Sequence, residues 1–182
     1  MSIKLLRRIK DEVMDVFFPG DCPVCGEPPK MDEGYYACKV CLDQIAWVGG
    51  SACKFCGIGM YGIEYQGLTC SNCRKQEHLF NRGRCLFVLD AIGKNIIHEI
   101  KYHGEKEVLD DISHWLDRCP GYREFLEGAH LVPVPLHRRR ESKRGYNQSL
   151  WIAKALKKDL GSAVEVGDFM KRVRNNSTQT KL

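Results

Sequence analysis

Beyond residue 84 the apolar positions alternate between short continuous runs and helical spacing. Continuous runs bounded by turn residues predict strands, and apolar positions that recur every three to four residues predict helices. Asn147 and Gly161 suit the N-cap and the C-terminal end of the last helix. The predicted elements are a strand at 85–89, helices at 96–100 and 108–116, a strand at 129–134, a helix at 147–160 and a strand at 163–166. This alternation predicts an α/β fold with a parallel sheet and flanking helices over 84–182.

The N-terminal region follows a different pattern. Apolar side chains recur at helical spacing from Leu6 to Phe17, so a short amphipathic helix is predicted over 1–18. The longest apolar run, 85–92, contains Asp90 and falls far short of the ~18–20 residues that a membrane span requires. The charged N-terminus does not resemble a secretory signal. We therefore expect a cytoplasmic protein without a membrane span.

Cysteine spacing organises residues 19–83. Eight of the ten cysteines form four C-x2-C pairs, separated by 12, 11 and 13 residues. A C-x2-C turn presents two sulfurs at the separation that tetrahedral zinc needs, and two such turns complete one site. Glycine follows the first and third pairs, where it tolerates a positive φ. The pairs are Cys22/Cys25, Cys38/Cys41, Cys53/Cys56 and Cys70/Cys73.

The order of these pairs indicates an internal duplication. Cys22 and Cys53 are 31 residues apart, and Cys38 and Cys70 are 32 apart. We therefore predict two tandem zinc ribbons over 19–83, each holding one structural Zn2+ through sequential pairs; spacing alone does not distinguish this from a cross-braced pairing. A disulfide scaffold is the alternative, but it needs an oxidising compartment. Cys85 and Cys119 are expected to be buried or incidental rather than ligands.

Charge is unevenly distributed along the chain. The whole chain has 28 Lys and Arg against 23 Asp and Glu, whereas residues 137–182 alone have twelve against four. A basic C-terminal segment indicates an anionic ligand such as phosphate or nucleic acid.

One loop in this basic region has the features of a phosphate site. Pro133 and Pro135 follow a predicted strand and prevent it from continuing. The helix that begins near Asn147 then presents free N–H groups beside a cluster of basic residues, an arrangement that favours phosphate. A solvated basic loop next to a capped helix fits the residue types equally well.

Four sequence motifs resemble the ComF family, which includes ComFC and GntX-type proteins. Members of that family carry N-terminal zinc-binding knuckles followed by a type I phosphoribosyltransferase-like domain. The matching residues are Cys22-Pro-Val-Cys25-Gly26 after Phe18-Pro19, Lys101-Tyr102-x-Gly104, Val132-Pro-Val-Pro135 with Leu136-His137, and Arg144-Gly-Tyr-Asn-Gln148.

The resemblance implies roles for particular residues and partners. It implies a stretch leading into the flexible loop at Arg172, Arg174 and Gln179. It also implies action in single-stranded DNA uptake during natural transformation, with DNA-uptake proteins such as a ComFA-type helicase as partners. In a longer form it implies phosphoribosyl pyrophosphate with Mg2+ as ligands. The implied phosphate-binding and pyrophosphate-binding residues are Pro133, Val134, Pro135, Leu136, His137, Arg144, Asn147 and Gln148.

One family feature is missing from the sequence. The family's acidic pair followed by Thr-Thr-Gly, which cradles ribose and 5′-phosphate, does not occur after Ala129. The phosphoribosyltransferase-like domain is therefore expected to be incomplete, and this chain alone to be inactive as a transferase. Two alternatives stay open: a phosphoribosyltransferase of nucleotide metabolism in a longer form, and a non-enzymatic zinc-ribbon module that binds nucleic acid or protein. The aromatic residues that would stack on bases in that module are more simply explained by packing; they are Tyr35, Tyr36, Trp47, Phe55, Tyr61 and Tyr65.

Overall fold

The computed structural model describes residues 21–27, 36–60 and 69–175, so the helix predicted over 1–18 lies outside the described residues. The helices are short and connected by tight turns. In chain order the elements are α1 (Lys39–Asp43), α2 (Ser71–Arg74), α3 (Ala91–His98) with a π-helical turn (Glu99–His103), a 3-10 turn (Glu107–Asp111), α4 (Ile112–Asp117), α5 (Tyr122–Leu126), β1 (Ala129–Leu131), α6 (Arg138–Arg144), α7 (Gln148–Leu160), a 3-10 turn (Gly161–Ala163) and β2 (Val164–Val166).

A parallel pair of strands forms the sheet of the second half. Ala129 of β1 pairs with Val164 of β2, and Leu131 pairs with Val166. Helix α7 connects the two strands and lies against β2 and α4. The α/β prediction is therefore confirmed: tandem zinc-ribbon sites precede a small parallel sheet with flanking helices.

The segment at Cys85–Leu89 does not join this sheet, contrary to the predicted strand. It forms one antiparallel bridge, between Phe87 and Trp47, and its backbone exchanges hydrogen bonds with the 46–48 segment. Asp90 then ends the extended run, because its Oδ1 accepts the Gly93 N–H at 2.9 Å and so caps α3. The segment joins the ribbons to the helical layer instead.

Two further differences concern the region before α7. Strand β1 stops at Leu131 rather than at 134, ahead of the two prolines. Helix α6 was not predicted, because none of its residues is buried and it has no apolar stripe. The His137 side chain caps its start, and Gly145 ends it at φ 85°.

One hydrophobic core runs through the ribbon region and the helical layer. Ile96, Ile100 and Val108 are almost fully buried in the helical layer. Residues of the first ribbon belong to the same cluster, including Cys22, Ala37, Cys41, Leu42 and Ile45. The domain boundaries given above remain predictions. Across the parts of the chain that the structure describes, every helix is too short or too polar to cross a membrane.

Candidate metal centres and phosphate-binding loop

The first four cysteines converge on one point. The Sγ atoms of Cys22, Cys25, Cys38 and Cys41 all lie within 4.8 Å of one another. Cys25 Sγ and Cys38 Sγ are 3.7 Å apart. With Zn–S bonds of ~2.3 Å, neighbouring sulfurs of a tetrahedral site are about 3.8 Å apart. The four thiols therefore fit one closed zinc site.

The second set of cysteines repeats this geometry. Cys53, Cys56, Cys70 and Cys73 also place their Sγ atoms within 4.8 Å of one another. Cys56 Sγ and Cys70 Sγ are 3.8 Å apart. The sites are thus built from consecutive pairs, so the tandem arrangement applies and the cross-braced one does not.

Backbone N–H groups stabilise one thiolate in each site. The Cys38 N–H donates to Cys22 Sγ at 3.3 Å, and the Cys70 N–H donates to Cys53 Sγ at 3.4 Å. Burial raises the pKa of both thiols, but these and other backbone donors outweigh it, so the pKa of Cys22 is lowered and that of Cys53 falls to about 6. Such N–H···S contacts are typical of structural zinc knuckles.

The pKa of the last cysteine in each site is shifted in the opposite direction, upward. Burial, followed by the neighbouring cysteines, raises the pKa of Cys41 and brings that of Cys73 to about 12. Four thiolates this close together repel one another unless a cation lies between them. A divalent ion removes the conflict, so each donor set fits one structural Zn2+ with no open position for chemistry.

A glycine follows the first C-x2-C pair of each ribbon and allows the turn to form there. Gly26 has φ 74° and Gly57 has φ 73°, as their positions after the second cysteine predicted. A Cβ on Gly57 would lie 2.5 Å from Arg84 Cα and 2.6 Å from Gly83 O, whereas one on Gly26 would meet nothing within 4 Å. The second ribbon therefore rests directly on the backbone at 83–84.

Asp111 ties the first ribbon to the helical layer, a role the sequence reasoning missed. Its carboxylate accepts the Tyr36 N–H at 2.8 Å and the Ala37 N–H at 2.9 Å, directly before Cys38. Asp111 is only 2% exposed, and this burial raises its pKa although the two N–H donors oppose the rise. The signal was present: Asp111 lies three residues after Val108, on the apolar face of its helix.

Two cysteines lie outside both metal sites, and packing explains one of the candidate aromatic residues. Cys119 is buried, as predicted, and its Sγ donates to Leu86 O at 3.1 Å, whereas Cys85 is exposed. Trp47 packs edge-on against Phe87, and its Nε1 donates to Leu42 O at 2.9 Å. Packing therefore explains Trp47. Tyr35, Tyr61 and Tyr65 lie outside the described residues.

Asn147 connects the predicted phosphate loop to helix α7. Its Oδ1 accepts the Ser149 N–H at 3.0 Å, which caps the helix as predicted. Its Nδ2 donates to Val134 O at 3.2 Å. The 133–137 loop is thereby held next to the N-terminus of a 13-residue helix.

The Arg144–Gln148 motif lies against the Lys101–Gly104 turn. Arg144 Nη1 donates to Gln148 Oε1 at 2.6 Å, and its guanidinium lies 5.4 Å from the centre of the Tyr102 ring. The Tyr146 ring stacks on the Trp151 ring with their centres 3.9 Å apart, and a Cβ on Gly104 would lie 3.5 Å from the Tyr146 ring. Two motifs 40 residues apart in sequence are thus brought together.

The charges around this loop point into solvent. Arg138 and Arg139 are exposed at the start of α6, and no salt bridge among the described residues involves them. Arg172 and Arg174 lie in an extended segment after β2, where Arg172 Nε donates to Arg174 O at 3.3 Å. Gln179 lies outside the described residues.

The ribbon sites and comparison with known proteins define the class. The family model described as a double zinc ribbon domain matches residues 13–74, so the chain carries that domain. Competence protein ComFC of Bacillus subtilis (strain 168) is 23% identical over 129 residues, in a match that covers 65% of this chain and 50% of that protein. The chain is thus similar to a competence protein of the ComF type, and its N-terminal part matches a double zinc ribbon. The chain spans about half the length of this curated relative. No solved structure gives a significant match.

Proposed function

We propose that this chain is a ComF-like competence protein that acts in single-stranded DNA uptake and binds phosphate groups at the loop 133–137. The two zinc ions have a structural role in this proposal. The observation that carries it is the pair of Asn147 hydrogen bonds, which hold the loop against the N-terminus of α7. That helix end supplies a positive dipole for an anion, although the Ser149 N–H is bonded to Asn147 Oδ1 and the Leu150 N–H to Asn147 O.

The surroundings of the loop support an anionic ligand. Arg138 and Arg139 are exposed, and Arg144 is positioned by Gln148 and the Tyr102 ring. Nucleic acid that contacts these cations releases counterions, so its affinity should fall steeply as salt rises. A DNA-uptake helicase is the partner that the family resemblance favours.

DNA binding can be tested with a charge-matched pair of variants. The affinity for a labelled single-stranded oligonucleotide is measured between about 50 and 200 mM salt, and the logarithm of the binding constant is plotted against the logarithm of the salt concentration. We expect Arg138→Ala/Arg139→Ala to reduce the steepness of this slope by about 0.7 per lost phosphate contact. The control, Lys94→Ala/Lys154→Ala, removes two exposed charges elsewhere and should leave the slope unchanged. Equal slopes for both double variants would contradict a phosphate role for the α6 arginines.

The competence role itself needs a measurement in cells. In the naturally transformable host, the Arg138→Ala/Arg139→Ala variant should lower uptake of marker DNA, while the lysine control should not. Unchanged transformation with a normally folded arginine variant would exclude this role for the loop.

A phosphoribosyl pyrophosphate site is the second candidate function. The loop follows the carboxyl end of β1 in a parallel sheet, where α/β proteins bind their ligands. The probe is phosphoribosyl pyrophosphate with Mg2+, and calorimetry measures its binding to the parent chain and to the variant. Asn147→Ser retains a helix cap but removes the donor to Val134 O, so it should weaken binding with little change in stability. No heat of binding with either protein would remove this candidate.

A further inference from the structure

Helix α3 continues into a π-helical turn that changes which side chains face each other. The turn spans Glu99–His103, and the Gly104 N–H donates to Glu99 O at 3.0 Å across it. Gly104 ends the turn in the left-handed conformation, at φ 79°. Single π turns within helices are rare and occur frequently at functional sites.

This turn brings two histidines together. In a regular α-helix, neighbours on one face are three or four residues apart, so His98 and His103 would diverge. The extra residue in the π turn returns His103 to the side of His98, and the centres of their rings are 5.3 Å apart. Glu99 Oε1 lies 3.6 Å from His98 Nδ1. One ligand atom from each of the three residues lies within 4.8 Å of the other two.

We propose that His98, Glu99 and His103 form a third metal site, for a divalent transition metal of the zinc class. Two imidazoles and one carboxylate are the ligands that Zn2+ and its neighbours prefer. The His98 side chain is half exposed, so an ion can reach the cluster from solvent. Three protein ligands leave at least one coordination position open, in contrast to the closed cysteine sites.

Binding of a metal ion would contract the cluster. Zn–N bonds of ~2.0–2.1 Å require the three ligand atoms to move closer together than they are now. Both histidines are exposed to solvent. The Tyr102 ring contacts the His98 ring, with centres 4.7 Å apart, and also carries the Arg144 guanidinium. The proposed site therefore adjoins Arg144, one of the residues predicted to bind phosphate, while using none of those residues.

Metal stoichiometry of the full chain tests the proposal. Protein with both ribbons loaded is titrated with ZnCl2 in a calorimeter, and we expect one further equivalent to bind. His98→Ala/His103→Ala should lose that equivalent and keep the two ribbon ions. His130→Ala and Cys85→Ser remove an exposed imidazole and an exposed thiol elsewhere, so both should retain it. A stoichiometry that stays at two, or a third equivalent that survives in the double variant, would overturn the site.

Cobalt distinguishes this site from displacement at the ribbons. Co2+ added to zinc-loaded protein should give weak visible bands without the intense thiolate-to-metal absorption of a cysteine site. That spectrum should be absent from His98→Ala/His103→Ala, whose circular dichroism should match the parent chain. A thiolate band in both proteins would show that the ion enters a ribbon, and would count against the site.

Discussion

The two zinc ribbons share their cysteine spacing but differ in what supports them. The first ribbon contributes Cys22, Cys41 and Leu42 to the main core, and Asp111 binds its backbone from the helical layer. Among the described residues of the second ribbon, none belongs to that core cluster. It rests on the close backbone contact of Gly57 with Gly83 and Arg84. The two ribbons therefore hold metal in the same way but are coupled to the rest of the fold to different extents.

The second ribbon instead carries an aromatic ladder at the surface. The Phe55 ring lies 5.1 Å from the His78 ring, which lies 5.1 Å from the Phe80 ring. Leu79 beside them is fully exposed, and Phe80 is 48% exposed. Apolar side chains at this site stabilise little of the fold, so the second ribbon is the more independent of the two.

Loss of one ligand in each ribbon should give the largest contrast. Cys41→Ser should abolish one zinc equivalent and strongly lower the temperature at which the helical layer unfolds. The reason is that Cys41 belongs to the main core, so the substitution removes core packing as well as a metal ligand. Cys73→Ser should abolish one equivalent with a far smaller change in the main transition. Metal analysis with thermal circular dichroism measures both. Equal shifts in Tm would break the comparison.

Removal of the Asp111 carboxylate should have the next largest effect. Asp111→Ala removes the carboxylate that accepts the buried Ala37 N–H and the partly buried Tyr36 N–H, and loss of the buried bond alone should cost about 1–3 kcal/mol. Urea unfolding gives the free energy of unfolding. The control is Asp110→Ala, which loses an exposed ion pair with Lys158 and should change stability little. Similar losses for the two variants would refute the anchoring role.

The glycine pair separates the ribbons by backbone contact. Gly26→Ala should cost about 1–2 kcal/mol, because only its left-handed φ is unfavourable for alanine. Gly57→Ala should cost more, since its Cβ also collides with Gly83 and Arg84. Chemical unfolding with zinc retained compares them. A smaller loss at Gly57 would show that the second ribbon can shift away from the 83–84 backbone.

The smallest effect is expected at Leu79, the exposed side chain beside the aromatic ladder. Leu79→Ser should change the free energy of unfolding by no more than about 0.5 kcal/mol, since the side chain is fully exposed. Leu42→Ser, a buried residue of the first ribbon, provides the contrast and should be strongly destabilising. Denaturant unfolding of both variants gives their free energies of unfolding, and a large loss for Leu79→Ser would show that this side chain is buried in solution.

Local chemistry explains why some features were predictable and others were not. The cysteine knuckles and the Asn147 cap depend on residues close in sequence, so spacing alone identified them. The apolar helical face on which Asp111 lies is a local signal for its burial, but its contact with Ala37 joins residues 74 apart, and no local pattern encodes that pairing. Helix α6 was missed because it is polar on every face and is defined by its caps at His137 and Gly145. The 85–89 run was misassigned because short apolar runs have no diagnostic period.

The Asp111 contact also sets an order of events during protein synthesis. A chain made from its N-terminus presents Cys22 through Cys41 long before Asp111, which is 74 residues beyond Ala37. The first ribbon can gather its thiols early but gains its carboxylate anchor only after the 3-10 turn has been translated. The second ribbon needs nothing later than Gly83 and Arg84 for its close backbone contact. The first ribbon is therefore synthesised first, but it gains its Asp111 contact only after the second ribbon can have made its contact with 83–84.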